Sequence, residues 1–79
     1  MNFNNAMIEV KEEVLWATKN HAPFHSAHEG YAVIKEELDE LWEAIRKLKN
    51  FDDRNEQMKK EAIQVGAMAI RFLIDLCEV

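Results

Sequence analysis

The chain has 79 residues, 48% hydrophobic and 32% charged, with a formal net charge of −5. That balance is globular rather than disordered, and the acidic excess speaks against a nucleic-acid partner, which calls for a basic face. Cys77 is the only cysteine, so an internal disulfide is excluded and a reducing compartment suits the chain.

The spacing of Phe3, Met7, Val10, Val14 and Ala17 predicts a first helix over about Asn4 to Lys19, with these residues as one apolar stripe. Asn20-His21-Ala22-Pro23 ends it, because proline cannot continue a helix. Ser26-Ala27-His28-Glu29 has the form of a capping box and opens a second helix expected to reach Lys49. Ile34, Leu38, Leu41, Ile45 and Leu48 form its apolar seam. After Asn50-Phe51-Asp52, the string Asp53-Arg54-Asn55-Glu56 repeats the capping pattern and starts a third helix running almost to Val79. No segment shows the period-2 alternation of a strand. The expectation is one all-α, three-helix domain over residues 1–79.

From Ala62 to Cys77 only Gln64, Arg71 and Asp75 are strongly polar, a profile that belongs to a helix covered on most sides. Three helices of a chain this short cannot surround one of their own number. A chain of this size also buries only about 60% of its unfolded surface when folded alone. Oligomerisation into a larger helical bundle, a homodimer or homotetramer, is therefore expected. No apolar run approaches the ~18 residues of a membrane span, and Met1-Asn2-Phe3-Asn4-Asn5 does not read as a signal peptide. These features predict a cytoplasmic protein with no membrane partner.

The candidate chemistry lies in two acidic groups. Glu37 and Glu40 are three residues apart and so are neighbours on one helix face, with Glu37 on the flank of the apolar seam. Glu61 projects near Val65, Met68 and Phe72, where an isolated carboxylate costs several kcal/mol unless it is paired, protonated or bound to metal. Gln64, Arg71 and Asp75 form a polar strip beside it. If the second and third helices pack antiparallel, the acids face one another across the bundle. Clustered carboxylates suit hard cations such as Mg²⁺ or Mn²⁺. Read blandly, Glu36 to Glu40 is a solvated helix face and Glu61 favours the dipole of an N-terminal turn.

Glu36-Glu37-Leu38-Asp39-Glu40, followed one helix later by Glu61-Ala62-Ile63-Gln64, resembles the E-E-x-x-E and E-x-x-D motifs of the MazG-like, all-α nucleoside triphosphate pyrophosphohydrolases. The approach from Ser26 to Tyr31 and the continuation to Leu41-Trp42 are also similar, and the resemblance covers roughly His21 to Leu76. It implies metal-dependent hydrolysis of a (d)NTP to a (d)NMP and pyrophosphate. Glu37, Glu40 and Glu61 would be metal ligands, and Glu36 a catalytic residue that orients the attacking water or a further ligand. Gln64 departs from the pattern, standing where the motif has aspartate. It offers a carbonyl oxygen but no charge. A non-catalytic helical interaction or regulatory protein with a degenerate site is the alternative.

Other residues are assigned by their setting. Arg71 is a candidate phosphate holder unless Asp75 pins it in a structural pair. Trp16 and Phe24 fall off the main stripes and are candidates to stack on a nucleobase, whereas Tyr31 and Trp42 lie near the seam and are expected in the core. His21, His25 and His28 straddle Pro23 and a helix start, so convergence on a metal is not expected. Cys77 reads as a small buried hydrophobe. No glycine-rich phosphate loop is present.

Overall fold

The computed structural model describes residues 1–47 and 49–77, and among them it contains three helices and no strand: α1 (Phe3–Asn20), α2 (Ala27–Lys47) and α3 (Phe51–Leu76). The seam position Leu48 and the expected helix end near Val79 lie outside the described residues. No described helix is long and apolar enough to cross a membrane.

Each helix start has an identifiable cap. Asn2 Oδ1 accepts from the Asn5 amide at 2.8 Å and sets α1. At α2, Ser26 Oγ accepts from the Glu29 amide at 3.1 Å, and Glu29 Oε1 reaches back to the His25 amide at 2.9 Å. This is the expected reciprocal cap, with the return bond made one residue before Ser26. The third start differs from expectation. Asn50 Oδ1 accepts from the amides of Asp52 and Asp53 at 2.9 and 3.2 Å, so α3 begins at Phe51 rather than after Asp53. Asp52 and Asp53 then lie in the first turn, where carboxylates favour the helix dipole.

α3 is the middle element: among the described residues, α1 and α2 both pack on it and not on each other. The contacts between α2 and α3 run in opposite chain directions, from Gly30 beside Phe72 and Leu76 to Glu37 and Glu40 beside Glu61. The core is small, comprising Val14, Ala17, Phe24, Ala67 and Met68, with Val10, Val33, Ile34, Phe72 and Leu76 packed around it.

Gly30 and Gly66 have opposite reasons for lacking a side chain. A Cβ on Gly30 would lie 2.6 Å from Phe72 Cδ2, whereas one on Gly66 would meet Val10 at an ordinary 3.5 Å. Gly30→Ala should therefore destabilise by about 1–2 kcal/mol despite alanine's better helix propensity. Gly66→Ala should stabilise by up to about 1 kcal/mol. Urea unfolding of both variants checks this, and a Gly30→Ala protein at least as stable as wild type would refute the close α2–α3 approach.

The inward faces are not all the expected ones. On α2, the buried residues are Gly30 and Ala44, while Leu38 and Ile45 of the expected seam stay exposed and Ile34 and Leu41 are half-buried. Small residues let the two helices come close, and the large seam residues beside them are left outside. Tyr31 and Trp42, expected in the core, are 62% and 58% exposed for the same reason. On α1, Val10, Val14 and Ala17 turn toward the core, whereas Phe3 and Met7 stay exposed. Cys77 follows the last turn of α3 and is exposed, not buried.

Candidate functional site

The antiparallel pairing of α2 and α3 brings Glu37, Glu40 and Glu61 together. Each offers a carboxylate oxygen, and the three oxygens lie within 4.8 Å of one another. Glu37 and Glu40 share a face because they are three residues apart, and Glu61 meets them from the third turn of α3. Exposure falls from Glu40, which is exposed, through half-buried Glu37 to Glu61, which is only 6% exposed.

The electrostatics of this trio are unfavourable without a cation. Burial, then repulsion from Glu40 and Glu61, pushes the Glu37 carboxyl up to about 7. Glu61 is also pushed up, by burial first and then by Glu40, with Lys60 offsetting part of the rise. Glu61 Oε2 is buried and has no hydrogen-bond partner. The ion pairs of the described residues lie elsewhere, joining Lys35 to Asp39, Arg46 and Lys47 to Glu43, and Lys59 to Glu9. Hydrogen bonds satisfy most buried polar atoms in folded proteins. A buried carboxylate with an orphaned oxygen, grouped with two more carboxylates, therefore fits the donor set of a hard divalent cation.

Glu37 also belongs to a cleft of about 290 Å³. α1 contributes Glu13, Trp16 and Ala17, α2 contributes Glu29 and Val33, and the floor is Gln64, Met68 and Arg71 of α3. His21, Ala22 and Phe24, from the connection between α1 and α2, close one end. Trp16 is exposed at the rim, with its ring edge-on to His21 at 5.5 Å. Phe24 is at once a core residue and a cleft wall.

Arg71 is 4% exposed and already engaged. Its Nη2 donates to the Ala22 carbonyl at 2.8 Å, and its guanidinium lies 4.9 Å from the centre of the Phe24 ring. The expected alternative pairing with Asp75 does not form. Asp75 Oδ2 instead accepts from the Phe24 amide at 3.0 Å. One turn apart on α3, Arg71 and Asp75 thus grip the backbone on either side of Pro23. Sequence reasoning missed this role of Asp75, because its partner is 51 residues away.

The remaining candidates separate from the trio. Gln64 is half-buried on the cleft floor, while Glu36 is exposed and outside the converging carboxylates. His21, His25 and His28 are exposed, and none joins a metal-ligand cluster among the described residues.

Fold and site together define an all-helical protein with a three-carboxylate cluster opening onto an aromatic-walled cleft. No protein-family model, curated protein or solved structure matches the chain.

Proposed function

We propose that the chain is a metal-dependent nucleoside triphosphate pyrophosphohydrolase, converting a (d)NTP and water to a (d)NMP and pyrophosphate. The observation that best supports this reading is the double membership of Glu37, in the carboxylate trio and in the wall of the cleft. A site for charged phosphates and a site for a flat apolar group are then contiguous. The resemblance of Glu36-Glu37-Leu38-Asp39-Glu40 and Glu61 to the MazG-like motifs supplies the reaction type.

In this reading Glu37, Glu40 and Glu61 would hold Mg²⁺ or Mn²⁺, and Gln64, outside the trio on the cleft floor, would offer a neutral carbonyl oxygen beside it. A bound divalent cation would supply positive charge to the triphosphate and to the attacking water. Glu36, exposed beside Glu37, suits a proton acceptor better than a ligand. Water adds to the α phosphorus, the bond to the α–β bridging oxygen breaks, and pyrophosphate leaves. Trp16, exposed at the rim, offers a ring face to the base, and buried Phe24 supplies the apolar wall of the same cleft. Arg71 contributes by holding Phe24 in the wall, because its guanidinium is buried and engaged. The proposed working unit is a self-associated bundle of two or four chains.

The second reading is a non-catalytic helical interaction protein, favoured by Gln64 in place of a carboxylate and by the exposed Tyr31, Trp42 and Leu73. A nucleotide panel with Mg²⁺ or Mn²⁺, assayed for monophosphate and pyrophosphate, separates the two. Wild type should release both products from at least one nucleotide. Gln64→Asp should bind cation more tightly without nucleotide, with turnover unchanged or higher. Pyrophosphate from neither protein, or from Gln64→Asp alone, would reject wild type as an enzyme.

A further inference from the structure

The three helices divide the molecule into two unlike sides. The acids Glu13, Glu29 and Glu37 line the cleft on one side. On the other side α3 forms a ridge of Ala69, Ile70 and Leu73 between two grooves of about 430 Å³ each. Phe3, Met7 and Val14 of α1 line the first groove with Ile70. Tyr31 and Ile34 of α2 line the second with Phe72 and Leu73. Among the described residues, Lys11 is the only charged one in either.

We infer that this apolar side is the seam of a homodimer, in which two copies meet back to back across α3 and leave both acidic clefts facing outward. The inference builds on the self-association proposed above and names the face that carries it. Two arguments select a second copy as the occupant. The first is charge. Each chain carries −5, so copies repel wherever their acids meet, and this face lets them approach without opposing carboxylates. The second is area. Phe3, Met7, Leu15, Tyr31, Ile70 and Leu73 line these grooves and are 38–75% exposed, which leaves roughly 700 Å² in water, near the ~800 Å² per partner of a standard interface. A two-fold pair uses the same patch on both chains and leaves no copy of it open.

Each copy keeps its own trio and cleft whole, since Glu37, Glu40, Glu61 and the cleft walls all come from one chain. Self-association should therefore hold the fold together without completing the site.

Sedimentation equilibrium at micromolar concentration tests the seam. Wild type should have twice the mass of one chain, and its thermal midpoint should rise with protein concentration. Leu73→Glu places a charge on the ridge and should lower the mass to one chain or, where a lone chain cannot hold its helices, abolish the helical circular dichroism. Ile8→Glu, at an exposed position that lines neither groove, should leave the dimer intact. A wild-type mass of one chain would overturn self-association itself. A Leu73→Glu protein with unchanged mass would overturn the seam alone. Both outcomes are read without any nucleotide, so they stand apart from the proposed activity.

Discussion

Glu61→Gln should abolish stabilisation by Mg²⁺ or Mn²⁺ while leaving the metal-free protein at least as stable as wild type. In wild type, a cation at 100 times its Kd would add about 2.7 kcal/mol to the folded state. For a chain of this length that is a rise of roughly 10–20 °C in Tm. Glu61→Gln turns the carboxylate whose Oε2 is buried without a partner into a neutral amide, which holds a divalent cation far less well, and it relieves repulsion among Glu37, Glu40 and position 61. The metal-free variant should thus gain up to about 1 kcal/mol. Thermal unfolding of both proteins, with and without cation, gives the four midpoints required. An undiminished cation-induced rise in the variant would remove Glu61 from the donor set.

The second large effect is a pH dependence of unusual sign. An unfolded glutamate titrates near 4.3, whereas the folded Glu37 carboxyl titrates at about 7. Below pH ~4.3 it is protonated in both states and costs nothing. Between those values the unfolded chain has released its proton and the folded one has not, so folding takes up a proton and stability falls as pH rises. Above pH 7 the loss is complete. A tenfold change in proton affinity is worth about 1.4 kcal/mol, and water contact at a half-buried carboxyl reduces the total to about 2 kcal/mol. Metal-free wild type should be more stable at pH 5 than at pH 7.5, and Glu37→Gln should remove most of that difference. Glu43, lowered by its bonds to Lys47 and Arg46, acts in the opposite sense but only below about pH 4.3, outside this window. Urea titrations across this range decide the matter. A stability that rises from pH 5 to 7.5 in wild type would show that the trio is not strained by its own charge.

The helices and the acids were legible in the sequence for local reasons. Pro23 and the Ser26–Glu29 cap announce themselves within four residues, and Glu61 is conspicuous as an acid aligned with Val65, Met68 and Phe72. The start of α3 misled because Asp53 and Glu56 have capping-box spacing, while Asn50, already in reach of two amides, takes the role. Which stripe of α2 turns inward was not legible. The Ile34–Ile45 seam and the Gly30–Ala44 stripe run side by side, and periodicity ranks the larger residues first. The choice depends on how closely two backbones approach, which only the pair of helices decides. The hold of Arg71 on the connection was not legible for a related cause: its partner carbonyl, on Ala22, is 49 residues away in sequence. The cleft draws its walls from three helices and a connection, so no one stretch of sequence encodes it.

Because Glu61, Gln64, Met68 and Arg71 all lie along one side of one helix, α3 also acts as a ruler. At 1.5 Å per residue, the axial distance from Glu61 to Arg71 is about 15 Å, with Gln64 about 4.5 Å and Met68 about 10.5 Å along it. The graduations change in chemical character from anionic, through an amide and a thioether, to a guanidinium backing an aromatic ring. A molecule bound along this scale is measured by its length and by the order of its parts. Something as short as inorganic pyrophosphate spans only the first marks, and a free base only the last. Touching both ends takes a ligand that is polyanionic at one extremity, flat at the other, and long enough to join them.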